Sequence, residues 1–303
     1  MVAAVGTFDG VHLGHRALIG QVLAEAKARG QECAIFTFAG HPLDVVAPER
    51  APRLITPIEE KMRLLRQAGI DRVISLGFDQ RMRSLTARQF MEMLRDEHGV
   101  QALVVGFNNH FGRDREGNFS TYQAIGQEIG IDVIQGKEQA LKVERGQIVP
   151  VSSSSIRVAL SRNQIERANL MLGRPYRLCG TVAQGQGIGR TIGWPTANVQ
   201  PSEPRQLIPA RGVYAADAYT ADGQRWPAMV NIGKRPTIAD NLDPTIEAHL
   251  IGYDGDLYGQ PITLDFLRFI RPEQRFPSLA ALQSQLLQDR KTIETVRTRT
   301  IRT

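Results

Sequence analysis

Apolar and polar positions follow two alternating patterns in the first half of the chain. Short apolar runs predict buried strands, and each is followed by a stretch in which apolar residues recur every three or four positions, as in an amphipathic helix. The predicted strands are VAAVG, CAIFTF, RVISL, ALVVGF and IDVI, and the helices between them begin near residues 15, 56, 86 and 120. Strands that alternate with helices in this way predict a doubly wound parallel α/β sheet.

Cap and turn residues predict where these helices begin and end. Thr56-Pro57-Ile58-Glu59 and Thr86–Gln89 have the spacing of capping boxes, in which the first side chain and the fourth satisfy each other's backbone N–H groups. Proline also suits the first helical position. Glycines that suit left-handed C-caps follow three of the helices: Gly30, Gly69 and Gly99.

The pattern changes beyond residue 160. NQIERANLMLGRPY predicts a short helix and a linker, after which glycine and proline separate short β-rich runs. These runs are YRLCGTVA, GVYAADAYT, WPAMVNIG, TIEAHLIGY and PITLDFLRFI. Their spacing predicts a small antiparallel barrel or sandwich. A helix with Ser278 as its cap is predicted over residues 278–291.

Composition narrows the class of protein. The 303 residues are 42% hydrophobic and 22% charged, which is typical of globular chains with room for two domains. The two cysteines, Cys33 and Cys179, have no CxxC partner, so we expect reduced thiols in a cytoplasmic protein. There is no basic and apolar leader pattern and no apolar run near the roughly 20 residues that span a bilayer, so no membrane partner is expected.

The net charge of +6 is compatible with nucleic acid, an anionic surface or phosphorylated small molecules as partners. The basic residues comprise 31 Arg and 6 Lys. Arginine suits bidentate contacts to phosphate, but a biased genome composition explains the same excess. The charge is scattered and does not decide between these partners.

The segment GTFDGVHLGH, residues 6–15, falls between the first strand and the first helix. Ligands of open α/β sheets bind at this edge, where helix N-termini present free N–H groups to anions. Gly6 and Gly10 allow a close approach of the backbone, and His12 and His15 could stabilise negative charge on a phosphate. The alternatives are a structural histidine pair and a metal site, although no cluster of further ligands accompanies the pair.

GTFDGVHLGH resembles the HxGH signature of nucleotidyltransferases, which cleave ATP between its α- and β-phosphates. Over essentially its whole length the chain resembles the bacterial bifunctional riboflavin kinase/FAD synthetases. The resemblance implies an N-terminal α/β FMN adenylyltransferase domain, residues 1–172, and a riboflavin kinase domain, residues 173–303, built as a β-barrel with a C-terminal helix. The further segments that carry it are TFAGHP (37–42), VVGFNNHFG (104–112), VSSSSIR (151–157) and RPYRLCGTVAQGQGIGRTIGWPTAN (174–198).

The resemblance implies catalytic roles for His12 and His15 and assigns Asn108 to the flavin. It also implies contacts to ATP phosphates for Gly6, Asp9, Gly10, Gly14, Ser153, Ser154 and Arg157. From the residues alone, an ordinary helix N-cap is the favoured interpretation of the serine cluster, and Asn108 could be a turn residue. His110 stands where relatives carry other residues and receives no role.

The segment VAQGQGIGRTIGWPTAN carries the candidate kinase site. Its glycines resemble a dinucleotide-binding loop, but Trp194-Pro195 follows where a helix would have to begin. Thr196 and Asn198 supply the oxygen ligands that Mg²⁺ prefers, and a flexible hairpin loop is the alternative. The resemblance implies that these two residues hold Mg²⁺ and that ATP lies under the loop residues Gly185, Gly187, Gly189 and Arg190.

In TIEAHL, apolar residues alternate with Glu247 and His249, as in a strand with one apolar face. A strand glutamate is most often a surface residue. The resemblance implies instead that Glu247 is the general base for riboflavin. The reactions implied are phosphorylation of riboflavin to FMN by ATP and adenylylation of FMN to FAD, with Mg²⁺ as cofactor, small molecules as partners and no nucleic acid.

Two other functions stay open at this point. A tRNA-charging enzyme also carries an HxGH signature, but VSSSSIR stands where the lysine-rich second signature of such enzymes is expected. A flavin carrier or sensor that has lost catalysis is the other.

Relatives usually carry more residues before the first motif, so either the first strand is short or the start site is misassigned. The sequence leaves the oligomeric state open.

Overall fold

The structure, a computed structural model, describes residues 1–106, 110–113, 118–137, 140–142, 148–185, 189, 193–233 and 244–300. At 140–142, 148–149 and 297–300 it describes the backbone alone. Asn108, Gly187 and Arg190 therefore lie outside the described residues. The chain divides into two compact units, Met1–Ser153 and Ser154–Thr303.

The first unit is built on a five-stranded parallel sheet. Its strands lie in the order β3-β2-β1-β4-β5. They are β1 (Val2–Val5), β2 (Cys33–Phe38), β3 (Arg72–Leu76), β4 (Ala102–Val105) and β5 (Asp132–Gln135). The helices are α1 (Leu13–Arg29), α2 (Leu43–Val46), α3 (Ile58–Gln67), α4 (Gln80–Ser84), α5 (Ala87–His98) and α6 (Phe119–Ile129), with a 3-10 turn at Pro48–Arg50. A separate antiparallel pair, β6 (Ala140–Lys142) and β7 (Ile148–Pro150), was not predicted.

Side-chain alternation in β1 explains why the sheet is covered on both faces. Ala3 and Val5 pack in a core with residues of α5 and α6, whereas Val2 and Ala4 pack in a core with residues of α1 and α3. All four side chains are buried. This arrangement confirms the doubly wound α/β prediction and places the segment after β1 at the carboxyl edge of the sheet.

Most of the predicted helix ends are confirmed. Gly30 and Gly99 adopt the left-handed C-cap conformation, and Thr86 and Gln89 form a complete capping box. The start predicted for α3 at Thr56 is wrong, because Pro57 is the N-cap and makes no side-chain cap hydrogen bond. The backbone N–H of Thr56 instead donates to the carboxylate of Asp9.

The second unit is a closed antiparallel barrel with strand order β10-β11-β12-β9-β8-β13, which confirms the predicted barrel. Its strands are β8 (Tyr176–Ala183), β9 (Ala197–Pro201), β10 (Gly212–Tyr219), β11 (Arg225–Gly233), β12 (Thr245–Leu250) and β13 (Pro261–Arg271). The chain enters through α7 (Ser153–Leu160) and α8 (Ile165–Leu172), and it ends in α9 (Leu279–Thr300). Sequence patterns identified every strand of the barrel except β9.

Side-chain hydrogen bonds attach the helices to the barrel. Asn169 in α8 donates to the carbonyl of Phe266 (2.8 Å) and accepts from the N–H of Tyr176 (2.7 Å). Arg271 in β13 and Asp289 in α9 form a largely buried ion pair at 2.8 Å. Ser278 caps α9 as predicted, but the helix extends beyond the predicted end at residue 291.

Candidate functional sites

The segment after β1 has an unusual backbone. Phe8 and Val11 adopt positive φ angles of 48° and 38°, and Gly10 one of 92°. Positive φ at a residue other than glycine costs about 1 to 3 kcal/mol and persists only where the surroundings enforce it. Phe8 and Val11 are both buried in the core on one face of the sheet, and the N–H of Val11 donates to the carbonyl of Phe8 (3.0 Å). The segment is therefore a tightly held turn.

This turn leads directly into α1 and presents a stacked pair of imidazoles. His12 is the N-cap of α1, and its Nδ1 accepts the N–H of His15 at 3.2 Å. The two rings lie 3.6 Å apart with an interplanar angle of 15°. Because Nδ1 of His12 is an acceptor, the proton of a neutral His12 sits on Nε2. The Nε2–H group of His12 is thus a hydrogen-bond donor.

His15 lies in an environment that favours its neutral form. Burial, with the nearby His12 and Lys61, lowers the pKa of His15 well below its usual value. Its Nδ1 is buried and has no hydrogen-bond partner within the part of the chain that the structure describes. A buried polar atom without a partner is uncommon and often marks a place where a ligand binds.

Two further contacts explain the residues around the histidines. A Cβ at Gly14 would lie 3.1 Å from Cε1 and Nδ1 of His12 and 3.2 Å from the carbonyl oxygen of Val151. Glycine is therefore the residue that fits between the imidazole and the backbone near the end of this unit. Ser153 Oγ donates to the carbonyl of Asp9 at 2.8 Å, so Ser153 lies beside this turn, and its contact with phosphate stays a prediction.

The Asp9 carboxylate faces protein amides. It accepts the N–H groups of Ile55 and Thr56, each at 3.0 Å, and its residue is 4% exposed. These bonds join the turn to the segment that begins α3. The role of Asp9 in binding phosphate stays a prediction, and the contacts seen here are those of a residue that holds the turn in place.

A cavity of about 1010 Å³ lies at the same edge of the sheet. Gly6 and Thr7 form part of its wall, so it adjoins the turn that carries the histidines. Its other described lining residues include four aromatic rings and four basic groups but no carboxylate: Phe38, Phe78, Phe90 and Phe111, with His41, Arg83, His110 and Arg113. Such a lining suits a planar apolar ring system that carries a negatively charged group.

Ser154 and Arg157 lie in α7 and belong to the second unit. Their predicted contact with phosphate therefore stays a prediction, and so does the predicted contact of Asn108 with the flavin.

The second site lies where three barrel strands adjoin. Asn198 of β9 is paired with Glu247 of β12 on one side and with Ala183 of β8 on the other. A Cβ at Gly185 would overlap the side-chain amide of Asn198. One at Gly189 would overlap the carbonyl of Trp194 and lie 3.3 Å from Oγ1 of Thr196. The described glycines of the predicted ATP loop therefore pass directly against both predicted metal ligands.

Glu247 joins this cluster through a hydrogen bond with Thr196. Burial raises the pKa of Glu247, the bond with Thr196 acts in the opposite direction, and the charge of Glu273 raises the pKa further. A carboxylate made more basic by burial is suited to accept a proton. Strand pairing and this hydrogen bond thus bring Thr196, Asn198 and Glu247 together, and their roles in catalysis and metal binding stay predictions.

Hydrogen bonds and a ring contact hold the segment that precedes β9. Nδ1 of His249 lies 2.8 Å from the carbonyl oxygen of Pro195, and its ring lies 4.8 Å from that of Trp194. The N–H of Trp194 donates to the carbonyl of Gly189 at 2.8 Å. These contacts fix the backbone immediately before Thr196.

Sequence reasoning missed Lys61, a buried lysine beside the histidine turn. Its Nζ donates to the carbonyls of Thr7 (3.1 Å) and Phe38 (2.9 Å). A signal was present, because Lys61 shares the buried face of α3 with Leu64 and Leu65, at the i+3 and i+4 positions.

Within the described residues, no helix is long and apolar enough to cross a membrane, and no group of three or more His, Cys, Asp or Glu residues is arranged to hold a metal ion.

Comparisons with known proteins agree with the two units. The family model described as FAD synthetase matches residues 1–153, and that described as riboflavin kinase matches residues 172–297. The bifunctional riboflavin kinase/FMN adenylyltransferase of Pseudomonas fluorescens is 40% identical over 295 residues, which cover 95% of this chain and 90% of the relative. The protein of that name from Bacillus subtilis is 35% identical, over 96% of this chain and 90% of the relative.

A crystal structure described as a macrolide-efflux protein from Streptococcus pneumoniae has a TM-score of 0.86 and 28% identity to this chain. The match covers 97% of this chain and 93% of the chain in that crystal structure. Its description names another activity, whereas the two family models and the curated relatives agree with one another. The chain therefore belongs to the bifunctional riboflavin kinase/FMN adenylyltransferase family.

Proposed function

We propose that the second unit transfers the γ-phosphoryl group of ATP to riboflavin, which gives FMN and ADP, and that the first transfers AMP from ATP to FMN, which gives FAD and pyrophosphate. The observation that carries the proposal is that each compact unit holds its own cluster of candidate site residues and contains all of the residues matched by one of the two family models. We place the activities in residues 1–172 and 173–303.

In the kinase reaction, the terminal ribityl hydroxyl of riboflavin attacks the γ-phosphorus of ATP while ADP leaves. Glu247 accepts the proton of that hydroxyl, because its carboxylate is partly buried and has a raised pKa. Positioning and stabilisation of charge carry most of the catalysis in phosphoryl transfer. Gly185 and Gly189 allow the loop to lie close to Thr196 and Asn198, and we assign Gly187 and Arg190 to the same loop over ATP.

The residues at this site fit a magnesium ion. Mg²⁺ is typically bound by one or two protein oxygens, with waters and substrate phosphates completing its coordination. Thr196 and Asn198 provide side-chain oxygens beside the glycines and need no cluster of carboxylates. When bound, Mg²⁺ would neutralise charge on the phosphates of ATP.

In the adenylyltransferase reaction, a phosphate oxygen of FMN attacks the α-phosphorus of ATP and pyrophosphate leaves, with no covalent enzyme intermediate. His12 and His15 donate N–H groups to the phosphates, aided by the N-terminus of α1. Gly6, Gly10, Gly14 and Ser153 shape the turn that holds them. We keep the assignments of Ser154 and Arg157 to phosphate and of Asn108 to flavin.

The basic, aromatic cavity beside this turn supports FMN as the acceptor, since an isoalloxazine ring is planar and its phosphate is anionic. We place the enzyme in the cytoplasm, where ATP is available and where Cys33 and Cys179, which form no disulfide, would stay reduced.

One turnover experiment tests the proposal. The protein is incubated with riboflavin, ATP and Mg²⁺, and the flavins are separated by chromatography; FMN should accumulate first, followed by FAD. His12→Ala should remove FAD formation and leave FMN formation intact, because loss of one preorganised donor costs about 3 to 4 kcal/mol in the barrier. Flavin binding without turnover would instead indicate a carrier, and retention of tRNA on a filter would indicate a tRNA-charging enzyme.

A further inference from the structure

Lys61 is a buried cation close to the adenylyltransferase histidines, although no role was assigned to it. It lies on the inner face of α3 and is 7% exposed. A buried ammonium group destabilises the fold unless it is well paired. Its two hydrogen-bond partners are backbone carbonyls, at Thr7 and Phe38. Such a costly group at the edge of a ligand site calls for a function.

The two carbonyls lie at the places where the chain leaves neighbouring strands. Phe38 is the last residue of β2, and Thr7 precedes the left-handed residue Phe8. Thr7 also accepts a hydrogen bond from Thr37 Oγ1 at 3.1 Å. Lys61 therefore holds the orientation of the Thr7 carbonyl, immediately before the strained turn that leads to His12.

The same ammonium group acts on the stacked histidines through its charge. Lys61 and His12 are the charged or titratable neighbours that lower the pKa of His15, together with burial. Burial lowers the pKa of Lys61 from 10.5 to about 8. The negative charge of Asp9, whose carboxylate accepts the N–H of Ile55 just before α3, raises this pKa but has the smaller effect. The group thus keeps most of its charge near pH 7.

We propose that Lys61 is a positioning residue for adenylyl transfer, which holds the histidine turn through Thr7 and Phe38 and places a positive charge near the buried His15. The inference rests on the proposed function of the first unit. A residue that merely attached α3 to the sheet would contribute to stability alone and would not change the protonation of His15.

The test compares Lys61→Met, which removes the charge, with Lys61→Arg, which keeps it. The matched control is Lys27→Met, because Lys27 is an exposed lysine in the last turn of α1. The first readout is an NMR titration of the His15 ring in the nucleotide-free full chain. We expect the pKa of His15 to rise in Lys61→Met, by less than the amount that burial lowers it, and to stay near the parent value in Lys61→Arg and Lys27→Met.

The second readout is steady-state kinetics with FMN and ATP. In Lys61→Met, kcat for FAD formation should fall at least about tenfold while KM for FMN changes less than about threefold, since the turn acts on the reacting phosphates. Phosphorylation of riboflavin by the same protein is the internal control and should be unchanged. If Lys61→Met does not fold, Lys61→Gln, which is neutral but still donates hydrogen bonds, replaces it.

The proposal would be overturned if the pKa of His15 were unchanged in folded Lys61→Met or Lys61→Gln. It would also be overturned if that variant formed FAD at the rate of the parent. Equal defects in Lys61→Arg and Lys61→Met would refute the role of the charge. If the parent makes no FAD at all, the proposed function fails. The titration of His15 still decides whether Lys61 affects the pKa of His15.

Discussion

Gly14→Ala perturbs the proposed adenylyltransferase site by a single methyl group. The new Cβ would lie 3.1 Å from two ring atoms of His12 and 3.2 Å from the carbonyl oxygen of Val151. Ordinary contacts of a Cβ are longer than 3.4 Å, so a neighbour has to move by a few tenths of an ångström. The backbone carbonyl is the less mobile of the two, and the shift therefore falls on the imidazole that caps α1.

The expected loss of rate follows from that displacement. Misplacing a catalytic group by 1 Å can cost about 10²-fold in rate, so a shift of a few tenths should lower kcat for FAD formation roughly 5- to 10-fold, about 1 kcal/mol in the barrier. Riboflavin phosphorylation should not change. Alanine is also a better helix former than glycine by up to about 1 kcal/mol, so a loss of folding would not explain the effect.

Gly20→Ala in the same helix is the matched control. No atom lies within 4 Å of a Cβ at this exposed position, and its φ is not positive. This variant should raise the thermal midpoint slightly and leave both activities unchanged. FAD and pyrophosphate are measured from supplied FMN and ATP at saturating concentrations. Parent-like FAD formation in Gly14→Ala would show that the close approach to His12 is irrelevant to catalysis.

Three further predictions concern the kinase base, the domain boundary and the buried lysine. Glu247→Gln should lower FMN formation roughly 10²- to 10⁴-fold but spare FAD formation from supplied FMN; a rate within a few-fold of the parent would contradict the role of a base. A fragment of residues 154–303 should phosphorylate riboflavin and melt at a higher temperature than one of residues 175–303, which lacks the hydrogen bonds of Asn169; equal midpoints by circular dichroism would refute this. Because the pKa of Lys61 is lowered from 10.5 to about 8 on folding, the unfolded chain binds its proton more tightly between these values. The unfolding free energy of the parent relative to Lys61→Met should therefore increase by about 3 kcal/mol as the pH rises from 8 to 10.5; urea titrations that show a constant difference would exclude it.

Local patterns predicted most of the fold, because the signals involved are local. The Thr86 box and the C-cap at Gly30 depend on residues within one or two helical turns, and both are confirmed. β9 was missed because it has only five residues, one of them proline, and its strand conformation depends on pairing with β8 and β12. No window of sequence around it contains those partners.

The sites show the same division between local and distant contacts. The histidine pair, its intervening glycine and the Thr196–Asn198 motif are adjacent in sequence and were identified there. The bonds from Asp9 to Ile55 and Thr56 join segments more than 40 residues apart, so the sequence could not reveal them. Lys61 was within reach, since a lysine in register with buried leucines on an amphipathic helix indicates a charge that faces the core.

The contact of Trp194 with the glycine loop gives the molecule a built-in optical reporter. The sequence has two tryptophans, Trp194 and Trp226, and both lie in the barrel unit. The backbone N–H of Trp194 bonds to Gly189 and its ring packs against His249, so its emission should change when a nucleotide binds at the proposed kinase site. Oxidised flavins absorb in the region where indole emits, so riboflavin bound near it should quench the signal by energy transfer. Occupancy of the barrel can thus be followed in the intact, unlabelled chain.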